Sequence, residues 1–188
     1  MMTGKEDSAE RLRMMLNEED VAEELHGTSE EKARGIREAQ KKALRLLERM
    51  DRTEKELREK LAQADFTPEA VDAAIAYVAS FGYLNDERYA ANYIRRSLSS
   101  KSRTQVMQEL ARRGIPHAMA EEAWETETAD EAYDEQDLIH SLIRKKLSSA
   151  PVPSDDPAAM RRLYAYLARR GFSYEQIRRA VDDFDEME

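Results

Sequence analysis

Six residues of this chain are written almost twice: LARRGI at Leu110–Ile115 returns as LARRGF at Leu167–Phe172, fifty-seven positions later. Aligned on their leucines, the two echoes bring a third, weaker copy into register. The copies are LAQADFTPEAVDAAI from Leu61, LARRGIPHAMAEEAW from Leu110 and LARRGFSYEQIRRAV from Leu167. Apolar positions match across all three: Leu61, Leu110 and Leu167; Phe66, Ile115 and Phe172; Val71, Ala120 and Ile177; Ile75, Trp124 and Val181. Self-similarity at a period of about fifty residues is what a tandem array of helical modules produces.

Each copy reads as a helix, a tight corner and a second helix. Gly114 and Gly171 stand where the first helix ends, and glycine adopts the left-handed conformation there without steric penalty. Copy one has Asp65 at this position, a residue that tolerates the left-handed region better than most. Thr67 before Pro68 supplies a capping hydroxyl ahead of a proline at the first helical position. Thr53 with Glu56, Ser102 with Gln105 and Ser173 with Gln176 have the spacing of capping boxes. One more periodic segment precedes each pair: Ala43, Leu44 and Leu47; Tyr89, Ala90, Tyr93, Ile94 and Leu98; Leu138, Leu142 and Ile143.

These signals predict three helices per module, at residues 30–50, 53–64 and 68–81; 86–98, 102–113 and 117–126; and 130–148, 157–170 and 174–184. Pro151, Pro153 and Pro157, with Ser148, Ser149 and Ser154 among them, mark the longest interior loop. The expected fold class is all-α, a tandem array of three three-helix repeats at 39–84, 85–127 and 128–188 behind an acidic N-terminal extension at 1–38. A unit of about fifty residues buries too little apolar surface to be secure alone, so neighbours stack and an elongated molecule is expected. The extension carries 6 basic and 11 acidic side chains, with Leu12, Met15, Leu16 and Leu25 at helical spacing. A docked helix, a partner-binding arm and a weakly ordered tail all fit that composition.

A catalytic reading needs convergent groups, and the sequence supplies almost none. The absence of cysteine excludes disulfides, thiolate metal sites and a cysteine nucleophile. His26, His117 and His140 are isolated from any second ligand at metal spacing, so they read as surface or cap residues and no metal is expected. The six glycines are too scattered for a phosphate-cradling loop, and no cofactor is expected. Glu18-Glu19, Asp155-Asp156 and Asp182-Asp183 are adjacent in sequence, point about 100 degrees apart on a helix, and do not converge on a substrate. The chain is expected not to be an enzyme. No apolar run reaches the length that spans a bilayer and Met1 to Asp20 is charged throughout, so a cytoplasmic protein without membrane contact is expected.

Charge points instead to binding. The formal net charge is -9, from 30 basic and 39 acidic side chains, which argues against a surface that grips nucleic acid everywhere. Between Arg88 and Arg113, however, seven basic residues (Arg88, Arg95, Arg96, Lys101, Arg103, Arg112 and Arg113) face one acid, Glu109. Arg88 and Arg95 are seven apart and share a helix face; Tyr89, Tyr93 and Arg96 follow the adjoining one. This ridge reads as a contact surface for an acidic partner or a phosphate backbone. For Arg112 and Arg113 a second reading stands beside it, because basic residues in a last turn also serve the helix dipole. Arg103 and Arg112 point to opposite sides of their helix. Trp124, Tyr89 and Tyr93 read as core residues, the tyrosines with polar tips at the surface.

ALRLLERMDRTEKELREKL (Ala43–Leu61), VASFGYLNDERYAANYI (Val78–Ile94), LARRGI and LARRGF resemble the RecX family, bacterial regulators of the RecA recombinase. The likeness runs from Ala39 to Val181, and GYLNDERYA, Gly82–Ala90, is its most specific block, because the family carries a near-identical junction between its first two modules. The resemblance implies a curved array of three three-helix repeats. It also implies a protein that lies in the groove of the RecA filament on single-stranded DNA, meets that DNA through the filament, and suppresses ATP hydrolysis and strand exchange; a monomer is expected. Asp86, Arg88 and Tyr89 map onto the junction motif, where Asp86 is read first as a helix cap. Two other classes remain open on the residues alone: a direct DNA binder working through the Arg88–Arg113 ridge, and a helical adaptor for an unrelated protein.

Overall fold

The computed structural model describes residues 28–129, 133–149 and 156–187, and every regular element among them is a helix. They are α1 (residues 28–49), α2 (Glu54–Ala62), α3 (Pro68–Ser80), α4 (Asp86–Ser97), α5 (Arg103–Arg112), α6 (His117–Glu127), α7 (Glu135–Ser149), α8 (Pro157–Ala168) and α9 (Tyr174–Met187). The expected extension up to residue 27, and residues 150–155 of the proline-rich loop, lie outside the described residues; Ser148 and Ser149, expected in that loop, end α7 instead, and Pro157 opens α8. Helix α7 starts five residues later than the periodicity predicts. Asp134 caps it, accepting from the N–H groups of Gln136 at 2.6 Å and Asp137 at 3.3 Å. Tyr133 stays outside the helix with its ring edge-on to Trp124, centroids 5.0 Å apart.

The corners are built alike. Asp65, Gly114 and Gly171 all adopt positive φ, at 60°, 90° and 89°. After the first two, the chain closes with the same reversed bond, Phe66 N–H to the Leu61 carbonyl and Ile115 N–H to the Leu110 carbonyl. Thr67 caps α3 through the N–H of Ala70. The boxes of Thr53 with Glu56 and of Ser173 with Gln176 close in both directions. The Ser102 box closes in one only: its hydroxyl accepts from Gln105 N–H, while the Gln105 side chain turns to Glu109. The cap of α4 is Asn85, whose side chain accepts from Arg88 N–H at 2.7 Å; Asp86, expected in that role, serves another helix.

The described residues form two compact units. The first comprises α1 and Leu57–Leu84; its core joins Ala39 and Ala43 to Leu57, Leu61, Val71, Ala74, Ile75 and Val78. The second comprises Arg52–Glu56, the first turn of α2, and the chain from Asn85 on. It holds two three-helix cores, one on Ile94, Val106, Leu110 and Trp124 and one on Ile139, Ile143, Leu163, Leu167 and Ile177. The matched leucines Leu61, Leu110 and Leu167 are fully buried in their respective cores, which is the physical reason the repeat preserves them.

Two joints in the second unit follow one design. In the first, the Thr53 hydroxyl donates to the Arg113 carbonyl at 2.6 Å, and Asp86 accepts from Glu54 N–H at 2.9 Å. In the second, Ser102 N–H donates to the Arg170 carbonyl at 2.9 Å, and Glu135 accepts from Arg103 N–H at 2.9 Å. The first N–H groups of a helix have no partner within it, and here a carboxylate from the start of a later helix supplies one. A Cβ at Gly114 would sit 2.6 Å from Lys55 Cβ, and one at Gly171 would sit 2.5 Å from Gln105 Cβ. The corner glycines are therefore demanded twice, by φ and by contact.

Candidate partner-binding surface

The basic residues between Arg88 and Arg113 separate into three settings. Tyr89, Tyr93, Lys101 and Arg113 converge. The tyrosine rings lie parallel, centroids 6.3 Å apart, and the Arg113 guanidinium sits over both. Arg113 donates to Glu56 at 2.6 Å and to the Tyr89 hydroxyl at 2.8 Å. Lys101 donates to Glu109 and to the Tyr93 hydroxyl, which itself bonds Glu109. Burial, with Arg113 and Arg112 nearby, holds the Lys101 ammonium below the usual lysine range. Tyr89 and Tyr93 pack against the core as expected, with hydroxyls turned to this network.

Arg95 and Arg103 are paired with acids from α6. Arg95 forms a two-pronged bond with Glu127, at 2.7 and 2.8 Å, and Arg103 bonds Glu121 with its guanidinium over the Trp124 ring. Arg88, Arg96 and Arg112 are exposed. Arg96 reaches only the Asn92 carbonyl of its own helix; Arg112 reaches the Gln108 carbonyl and stands 3.9 Å from Glu109. Arg88 lines a groove of about 330 Å³ between α4 and α6, with Glu87, Met119, Glu122 and Glu127 among the other walls. The seven-to-one excess counted along the sequence is thus offset in space by Glu56, Glu121 and Glu127, none of which lies in the basic segment.

Sequence reasoning missed these acids because nothing in a glutamate's neighbourhood marks its distant partner. Asp86 and Glu135 both stand thirty-two residues after the N–H they cap, a shared spacing that the folded joints bring out. Burial, against the opposing effect of the Glu54 N–H, raises the Asp86 pKa above its ordinary value, and the Glu54 and Glu56 carboxylates add to the rise. His117 is exposed at 3.4 Å from Glu121, and His140 is half-buried. Among the described residues no group of His, Asp or Glu is arranged to hold a metal, and no helix is long and apolar enough to cross a membrane.

The chain matches three family models in order: the first RecX three-helix domain at residues 39–77, the second at 85–123 and the third at 133–181. It is 31% identical over 142 residues to the "Regulatory protein RecX" of Vibrio vulnificus, covering 75% of this chain and 89% of that one. It is also 31% identical over 137 residues to the protein of that name from Clostridium perfringens, covering 71% of this chain and 62% of the relative's length. The crystal structure of RecX from Lactobacillus salivarius shares the fold, with a TM-score of 0.61 over 81% of this chain and 98% of that chain at 24% identity. A second, "Crystal structure of regulatory protein RecX", gives 0.62 over 80% and 74% at 22% identity. With the family's three domains matched in order and a relative 31% identical over most of both chains, this chain belongs to the RecX family.

Proposed function

We propose that this chain regulates homologous recombination and DNA repair by binding the RecA filament on single-stranded DNA and lowering its ATP hydrolysis and strand exchange. The observation that carries the reading is the complete set of three RecX repeats in order. The chain acts as a monomeric cytoplasmic scaffold without covalent chemistry, occupying space on the filament. Of the basic residues between Arg88 and Arg113, Arg96, which bonds a carbonyl of its own helix, and Arg112, which stands 3.9 Å from Glu109, supply charge toward the filament, while Arg95, Lys101, Arg103 and Arg113 are held by closer carboxylates. A charge held by a nearby carboxylate attracts a third partner weakly.

The test is RecA-catalysed ATP hydrolysis on single-stranded DNA with the purified chain added. Falling turnover with co-sedimentation is expected; unchanged turnover at stoichiometric excess without co-sedimentation rejects the reading. Binding to naked DNA that weakens steeply with salt favours direct DNA binding instead.

A further inference from the structure

In the first unit, three aromatic rings stand at the surface at the end of α3. Phe81 is 60% exposed, Tyr83 55% and Tyr77 37%, and the rings touch in series, Tyr77 to Phe81 at 5.0 Å and Phe81 to Tyr83 at 6.2 Å between centroids. The turn that displays them is fixed. Gly82 takes φ 71°, Tyr83 N–H donates to the Val78 carbonyl at 3.1 Å, and Leu84 is buried in the core. The backbone therefore anchors on both sides while the rings stay outside. The stretch of chain that carries them is uncharged: Ala73 to Asn85 contains no acidic or basic residue, in a chain that is 37% charged.

We infer that Tyr77, Phe81 and Tyr83 form an apolar hot spot for a protein partner; on the reading above, that partner is the filament, and the inference rests on it. The uncharged stretch favours a protein as the occupant, because a phosphate backbone requires Lys or Arg beside the stacking rings and a protein's apolar patch does not. Area excludes a second copy held by this patch alone. Three half-exposed rings offer about 300 Å², against about 800 Å² per partner in a stable dimer. A patch of this size contributes through a partner that engages other surfaces of the chain at the same time, as a polymer of identical subunits does. Aromatic anchors with a fixed backbone are the residues on which such interfaces depend.

The experiment measures binding of the chain to RecA on single-stranded DNA, to naked single-stranded DNA, and to itself. Phe81→Ser with Tyr83→Ser is compared with the parent and with Tyr174→Ser, an exposed aromatic outside the patch. The double variant is expected to keep its helicity and melting midpoint and to bind the filament about tenfold more weakly or worse. Tyr174→Ser is expected to bind like the parent. Phe81→Arg alone repeats the test should the double variant melt early. Filament binding by folded variants equal to the parent overturns the hot spot and leaves the regulatory reading standing. Absence of binding by the parent overturns both. Loss of naked-DNA binding or of self-association in place of filament binding assigns the rings to another occupant and overturns the inference.

Discussion

The hydroxyl of Thr53 donates a 2.6 Å hydrogen bond to the carbonyl of Arg113, the residue just before a glycine at φ 90°. Forty-nine residues on, Ser102 holds the Arg170 carbonyl, again just before a glycine. The echo LARRG is thus the imprint of a joint: Leu fills the core, the second Arg offers its carbonyl, and Gly leaves room for the facing helix. Asp65, at the matching corner of the first unit, is exposed and has no such constraint beyond its φ.

Gly114→Ala and Gly171→Ala should each destabilise more than Gly82→Ala. All three put a side chain at positive φ, a strain of about 1–3 kcal/mol. The added methyl meets open space at residue 82 but collides with Lys55 or Gln105 at the other two. That adds about 1–3 kcal/mol of overpacking. Urea denaturation of the three variants gives the ranking directly.

Thr53→Val keeps the buried volume and removes the hydroxyl, leaving both the Arg113 carbonyl and the Glu56 N–H without their partner. A loss of about 1–3 kcal/mol is expected, and Thr53→Ser should recover most of it. Equal melting of the Val and Ser variants would show that packing, and not the hydrogen bonds, is what this position supplies.

Asp86 titrates above its ordinary range in the folded chain, chiefly because it is buried. The folded state therefore holds more proton than the unfolded state between 3.8 and the raised value, and the stabilisation Asp86 provides falls as pH rises through that window. Asp86→Asn keeps an oxygen for the Glu54 N–H without the charge. It should be at least as stable as the parent at pH 7, with its advantage shrinking as pH drops through the window. Asp86→Ala loses the acceptor and should cost about 0.5–2 kcal/mol. Denaturation of parent and variants at neutral and acid pH, compared by difference, isolates this one group.

Arg95 and Arg96 are adjacent but should respond differently. Arg95→Gln breaks the pair with Glu127, changes stability by at most about 1 kcal/mol because the arginine is largely exposed, and leaves filament inhibition near the parent's. Arg96→Glu with Arg112→Glu should preserve helicity and weaken inhibition several-fold. Inhibition curves for RecA-catalysed ATP hydrolysis separate the two sets.

Helix positions were legible because each follows from local chemistry. Periodicity placed the buried leucines, hydroxyls marked helix starts, and positive φ called for Gly114, Gly171 or Asp65. Where reading along the chain failed, the missing fact was distant. Asp86 looks like a cap because it stands beside a helix start, yet Asn85 takes that role and Asp86 caps α2 across thirty-two residues. Tyr133 stays outside the start of α7, with its ring edge-on to Trp124, nine residues earlier.

The sequence by itself determined the all-α repeat, its register and its family, since these depend on which residues recur and at what spacing. Tertiary structure alone decided which carboxylates hold the basic segment's charges. Glu56, Glu121 and Glu127 reach the basic segment only when helices far apart in sequence are brought together, and Coulomb attraction over a few ångströms depends on spatial distance rather than position along the chain.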